Sequence, residues 1–286
     1  MSQPHPSIAD KRRTFQQLHE SGCFVIPNPW DVGSARYLQG LGFKALATTS
    51  SGFAWSQGRP DNGISREMAL DHLREIVAAT DLPVNADFEN GFAIDAAGVA
   101  ESVRLAVVTG VAGLSIEDST GNAAQPLFAL DVAVERMRAA RHAIDKAGGD
   151  TLLVGRAECY FVGRPDLDET IARLTAYAQA GADCLYAPGI RTREHIAAVV
   201  AAVAPKPFNL LVGSISDLTM QEISALGVRR VSVGGALARS AWGGFLRAAK
   251  VLAEQGRFDG FANAASGQEL NTFFSESMAA IEKRSA

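Results

Sequence analysis

"TGVAGLSIED" (Thr109–Asp118) decides the fold. Gly110 closes an apolar-periodic stretch, "DAAGVAESVRLAVVTG" (Asp95–Gly110), at the point where a left-handed helix cap belongs. A short apolar run follows and ends on two acids, Glu117 and Asp118. The same joint recurs in "LGFKAL" (Leu41–Leu46), "AGADCLY" (Ala180–Tyr186) and "LGVRRVSV" (Leu226–Val233). Each reads as a helix cap that feeds a strand.

Outward from these joints, eight strands are expected. They are "FVIP" (Phe24–Pro27), "KALATT" (Lys44–Thr49), "PVNAD" (Pro83–Asp87), "AGLSIED" (Ala112–Asp118), "TLLVGRAE" (Thr151–Glu158), "DCLYAP" (Asp183–Pro188), "FNLLV" (Phe208–Val212) and "RVSVGG" (Arg230–Gly235). They are short and apolar nearly throughout, as strands buried on both faces are. Amphipathic stretches lie between them, some opening on cap residues such as Asp31 and Ser65. Eight βα units in about 250 residues define an α/β chain folded as a (β/α)8 TIM barrel. A doubly wound open sheet would carry a glycine-rich phosphate loop after its first strand, and "NPWDVGSAR" is no such loop. One domain is expected over residues 1–286. An N-terminal helix region (1–22) puts Phe15–Leu18 under the barrel, and residues 257–286 form a helical extension. In that extension Leu270, Phe273, Phe274 and Met278 share one face, to pack on the chain's own barrel or on a partner.

The bulk numbers fit a soluble globular protein with a sizeable core: 286 residues, 47% hydrophobic and 20% charged. A net charge of −4 gives no footing for nucleic acid. No apolar run approaches membrane-spanning length, and the N-terminus lacks the pattern of a secretory signal. Cys23, Cys159 and Cys184 match no zinc or redox spacing and read as reduced thiols of a cytoplasmic protein.

In a barrel of this kind the site lies at the C-terminal strand ends. Asp87 and Glu89, Glu117 and Asp118, and Glu158 arrive there from strands three, four and five, beside Arg156. Converging carboxylates need a cation among them. Mg2+ or Mn2+ suits such hard oxygen ligands, and Arg156 is the alternative charge, or a clamp for a substrate carboxylate. All five histidines fall on the N-terminal tail or in helical stretches and read as surface residues, and no lysine ends a strand. That argues against a zinc hydrolase, a Ser-His-Asp triad and a Schiff-base aldolase. Cys159 has no histidine to activate it. "SVGGALARS" (Ser232–Ser240) reads as tight packing or as a phosphate corner.

"NPWDVGSAR", "TTSSGFAWSQGRPD", "VNADFENGF", "LSIEDS", "GRAECY", "GADCLYAPG" and the asparagine of "FNLL" occur in an order that resembles the isocitrate lyase / phosphoenolpyruvate mutase superfamily, from about Phe15 to Gly260. The resemblance implies a homodimer or homotetramer in which the last helix is exchanged between subunits. It also implies Mg2+ and a small 2-oxo or 2-hydroxy carboxylate substrate. Ser51, Gly52 and Phe53 would cradle the substrate carboxylate, and Asp61 would stand near the reacting centre. Asp87 and Glu117 would hold the metal, Arg156 a carboxylate or the enolate oxygen, and Asn209 would add a polar contact. Glu158 would lie beside the substrate.

Two departures qualify this. The family's Asp-x-Asp is Asn85-Ala86-Asp87 here, with Glu89 as a possible replacement acid. The mobile loop after strand four, which in lyase relatives carries a Lys-Lys-Cys-Gly-His-type motif, is "EDSTGNAAQPLFALDVAVERM" here, with a helix expected from near Leu127. Asn122 is the candidate for the mutase loop asparagine, without its lysine. These features favour cleavage of a C–C or P–C bond through an enolate, of the decarboxylase or hydrolase type. Phosphoenolpyruvate/phosphonopyruvate mutase-like transfer and a catalytically retired carboxylate-binding barrel are the alternatives.

Overall fold

The computed structural model describes residues 5–285, with side chains through residue 279. Eight parallel strands appear where expected: β1 (Phe24–Ile26), β2 (Leu46–Ala47), β3 (Val84–Asp87), β4 (Gly113–Glu117), β5 (Leu152–Arg156), β6 (Cys184–Tyr186), β7 (Phe208–Leu211) and β8 (Arg230–Ser232). They pair in the order β1-β8-β7-β6-β5-β4-β3-β2. Between β1 and β2 the ring is drawn together by the Ala47 N–H donating to Pro27 O at 3.0 Å. The chain is therefore a nearly closed (β/α)8 barrel.

The joints behave as their sequence requires. Gly42, Gly110, Gly181 and Gly227 all have positive φ, between 86° and 106°. Only glycine takes that conformation cheaply, so each helix can stop and turn into its strand within two or three residues.

Around the ring lie α1 (Ile8–Glu20), α2 (Val32–Gly40), α3 (Ser50–Ser56), α4 (Arg66–Ala79), α5 (Ala96–Val108), α6 (Leu130–Lys146), α7 (Leu167–Gln179), α8 (Arg193–Val203), α9 (Met220–Ala225), α10 (Ala236–Gln255) and α11 (Gly267–Ser285). The main core fills the layer between strands and helices, with Leu114, Ile116, Leu153 and Leu185 on the strand side. A second cluster closes the bottom of the barrel, where α1 inserts Phe15 against Ile26, Ala45, Ala47 and Ala112. Gly113 makes room for that plug: a Cβ there would stand 2.7 Å from the Phe15 ring.

Three details differ from expectation. Helix α3, absent from the sequence reading, is capped by Thr49 and occupies the start of the β2–α4 connection. Helix α6 begins at Leu130, because residues 119–127 first form a tied turn with a Ser119–Leu127 bridge and a Thr120 N–H to Pro126 O bond of 2.9 Å. His72 is buried, not a surface residue, and its ring stacks on Phe53 at 3.9 Å.

At the C-terminal end, Phe273 packs edge-on against Tyr37 and Phe274 approaches Gly33, so α11 covers α2 of its own chain. Helix α10 buries only Ala238 and leaves Trp242, Phe245 and Leu246 exposed. Among the described residues, no helix is long and apolar enough to cross a membrane.

Candidate active site

A cavity of about 880 Å³ opens at the C-terminal end of the strands. Strand alternation carries Asp87, Glu117 and Arg156 to its inner wall from the last positions of β3, β4 and β5. The guanidinium of Arg156 is the hub. Its Nη1 lies 3.0 Å from Asp87 Oδ1 and 3.2 Å from Glu117 Oε2, and its Nε donates to Glu158 Oε1. Burial works against the Arg156 charge, but Glu117 and Glu158 outweigh it and hold the group well above its ordinary pKa. Burial pushes Glu117 and Glu158 up in turn, against the pull of Arg156.

Asp87 is fixed from the other side. Its Oδ2 accepts both the backbone N–H and the hydroxyl of Ser50 at 2.9 Å. Helix α3 thus presents its first residue to the cluster, a role the sequence did not reveal.

Glu89 turns into the mouth. It adopts a left-handed conformation (φ 47°), and its Oε1 is buried without a hydrogen-bond partner. Burial, reinforced by Asp87 and Asp61, raises its pKa to about 8. Asp61 lines the same wall and is raised by burial and by Asp87.

The remaining candidates divide. Ser51 reaches the cavity, whereas the N–H groups of Gly52 and Phe53 are taken by Thr49 Oγ1 and O as α3 starts. Asn209 lines the floor with its amide committed to Ser232 and Arg230. Asn85 faces downward, away from the carboxylates, and its Oδ1 accepts from Arg230 at 3.3 Å. Asn122 is not brought to the mouth; it sits on the exposed turn after β4, where its Oδ1 accepts from Ala124 N–H.

Asp118, next to Glu117, points the other way. Its carboxylate accepts from Tyr177 Oη at 2.5 Å, from Arg173 at 3.1 Å and from the Glu158 N–H at 2.8 Å. It therefore positions the β5 end from behind. At the β8 corner, the Val233 and Gly234 N–H groups are occupied by Asn28 Oδ1, and a Cβ on Gly235 would meet Ser51 Oγ at 3.0 Å. Packing accounts for these glycines.

Among the described residues, no three His, Cys, Asp or Glu side chains are arranged to hold a metal ion. The donor chemistry nevertheless fits a hard divalent cation: Asp87, Glu117 and Glu89 offer oxygen only, and Glu89 Oε1 is an orphan. In this packing the Arg156 guanidinium stands among them.

A barrel with carboxylates and one arginine gathered at its mouth defines a class, and sequence comparison agrees with it. The phosphoenolpyruvate phosphomutase family model matches residues 15–253, so the chain belongs to that family, within the isocitrate lyase / PEP mutase superfamily of lyases, hydrolases and mutases. A suggested lyase/mutase from Burkholderia cenocepacia J2315 is 50% identical, with a TM-score of 0.90 over 94% of this chain and 97% of that one. An oxaloacetate decarboxylase of Bradyrhizobium sp. (strain ORS 278) is 30% identical over 78% of this chain and 77% of its own length. An oxaloacetate acetylhydrolase in complex with its product oxalate is 26% identical, with a TM-score of 0.82 over 99% of this chain and 100% of that one. The last two are named for oxaloacetate, a small carboxylate.

Proposed function

We propose that this chain cleaves a C–C bond of a small 2-oxo dicarboxylate through an enolate, as a decarboxylase or hydrolase. The observation that carries it is the Arg156 guanidinium fixed among Asp87, Glu117 and Glu158 at the barrel mouth. Oxaloacetate is the first substrate to try, because two of the relatives described are named for it.

Arg156 binds an oxygen of the 2-oxo acid and stabilises the negative charge that develops as the bond breaks. Ser51 holds the substrate carboxylate from the α3 side. When the bond to a carboxyl group breaks, CO2 leaves, its bonding electrons form the enolate, and the carbon then takes a proton. In the hydrolytic variant a different bond breaks: water adds to the 2-oxo carbon and gives up a proton, the bond from that carbon to the methylene breaks, and its electrons leave as the enolate of acetate, which then takes a proton. Asp87, Glu117 and Glu89 are the groups that would hold Mg2+ or Mn2+, which supplies Lewis-acid polarisation of the substrate oxygens when bound. No lysine accompanies Asn122, and Asn122 lies away from the mouth, so the geometry favours cleavage over phosphoryl migration.

Carbon-13 NMR of the protein mixed with oxaloacetate and Mg2+ or Mn2+ tests this. Pyruvate with CO2 marks decarboxylation, and oxalate with acetate marks hydrolysis. Rates equal to a protein-free metal control, for both outcomes, would overturn the oxaloacetate assignment.

A further inference from the structure

Arg230, on the cavity floor, is a second buried guanidinium that this reaction does not use. It is 2% exposed, and its hydrogen-bond partners are neutral: Asn209 Oδ1 at 2.8 Å, Asn85 Oδ1 at 3.3 Å and His19 Nε2 at 3.4 Å. A guanidinium has donors and no acceptor, so it dictates how its neighbours turn. Asn209 must offer Oδ1 to Arg230, which leaves Nδ2 to donate to Ser232 Oγ at 3.0 Å. Ser232 therefore accepts on that side and keeps its proton for use elsewhere. Ser232 stands beside the Tyr186 hydroxyl. Two hydroxyls carry two protons; when one bridges them, the other is left to face the cavity that both residues line. Arg156 lies over the Tyr186 ring, 5.1 Å from its centre.

We propose that Ser232 and Tyr186 form a donor pair that hydrogen-bonds a carboxylate or enolate oxygen of the substrate beside Arg156, with Arg230 and Asn209 setting the direction of donation. The inference rests on the mouth being a carboxylate site. Tyr186 and Ser232 touch the ligand; Asn209 and Arg230 are positioning residues that act through them. This gives Asn85 a purpose as well. An acid at that position would pair with Arg230 and draw its donors away from Asn209.

Oxalate is the probe, titrated calorimetrically into the full chain with Mg2+ present, with thermal melts to verify that each variant is folded. Tyr186→Phe and Ser232→Ala are each expected to weaken binding by about tenfold or more, the loss of one hydrogen bond to a charged group. The double variant should be no weaker than the weaker single one, because the pair donates as a unit. Asn209→Leu should weaken binding in the wild type and cost nothing further in the Ser232→Ala background, which a merely structural role would not reproduce. Arg156→Gln separates the two levels of the reasoning. If it loses oxalate while Tyr186→Phe and Ser232→Ala bind like wild type, or if their losses add, the donor pair is wrong and the site stands. If the wild type itself fails to bind oxalate, both are wrong.

Discussion

Replacing Arg156 by leucine removes the cation that Asp87, Glu117 and Glu158 share. At about 3 Å and an effective dielectric near 20, each contact is worth roughly 5 kcal/mol before desolvation is subtracted. Desolvation consumes much of that, and breaking a buried pair by deleting one partner typically costs about 3–5 kcal/mol. A barrel of ordinary stability, about 5–15 kcal/mol, would still fold. The loss also has a sign with pH. Burial already raises Glu117 and Glu158 above their unfolded values, and losing Arg156 raises them further. Stability carried by a carboxyl group with a raised folded pKa is intact below the unfolded value, near 4.5, and drains away as pH rises through the folded one. The variant's deficit should therefore be largest at pH 7 and shrink toward pH 5. Urea unfolding followed by circular dichroism at both pH values measures it. A deficit under about 1 kcal/mol at pH 7, or one that grows on acidification, would refute the reasoning.

Asp118→Asn should cost about 2–3 kcal/mol by taking one charged partner from the buried Arg173, which keeps Glu169 at 2.8 Å, whereas Tyr177→Phe should cost only about 1 kcal/mol; urea midpoints give the ranking. His19 and His72 are held neutral chiefly by burial, with pKa values lowered to about 3 and about 4. The unfolded chain binds more protons there, so stability should rise with pH between roughly 4 and 6.5, and His72→Gln should flatten the slope. The apolar residues that α10 leaves exposed predict a homo-oligomer, dimer or tetramer, by light scattering; Phe245→Glu should shift it toward monomer.

The barrel was legible because its joints are written in glycine, and positive φ leaves few alternatives. Strand positions followed from short apolar runs between those joints. The acids of the site were legible as strand ends, but their directions were not. Glu117 and Asp118 are neighbours, and alternation sends one to the cavity and the other to α7. Asn85 reads as a lost ligand until Arg230 appears beneath it, contributed by a strand 145 residues away. Arg230 begins its strand, and only strand ends were expected to matter. Gly52 and Phe53 lost their free N–H groups to α3, whose seven residues are too few for a periodic signal. Asn122 was placed by likeness to a loop that is built differently here.

That loop has a kinetic consequence. Its ends are stitched together by the Ser119–Leu127 bridge, and its tip is held by Thr120 and Asn122. A segment so tied does not need to swing for reactant to enter or product to leave. Traffic past β4 would then run at the pace of diffusion through an open doorway, with bulk water always at hand as proton source or co-reactant. Such a vestibule suits a bond cleavage whose fragments are meant to escape, and serves poorly where a reactive fragment must be kept and rejoined.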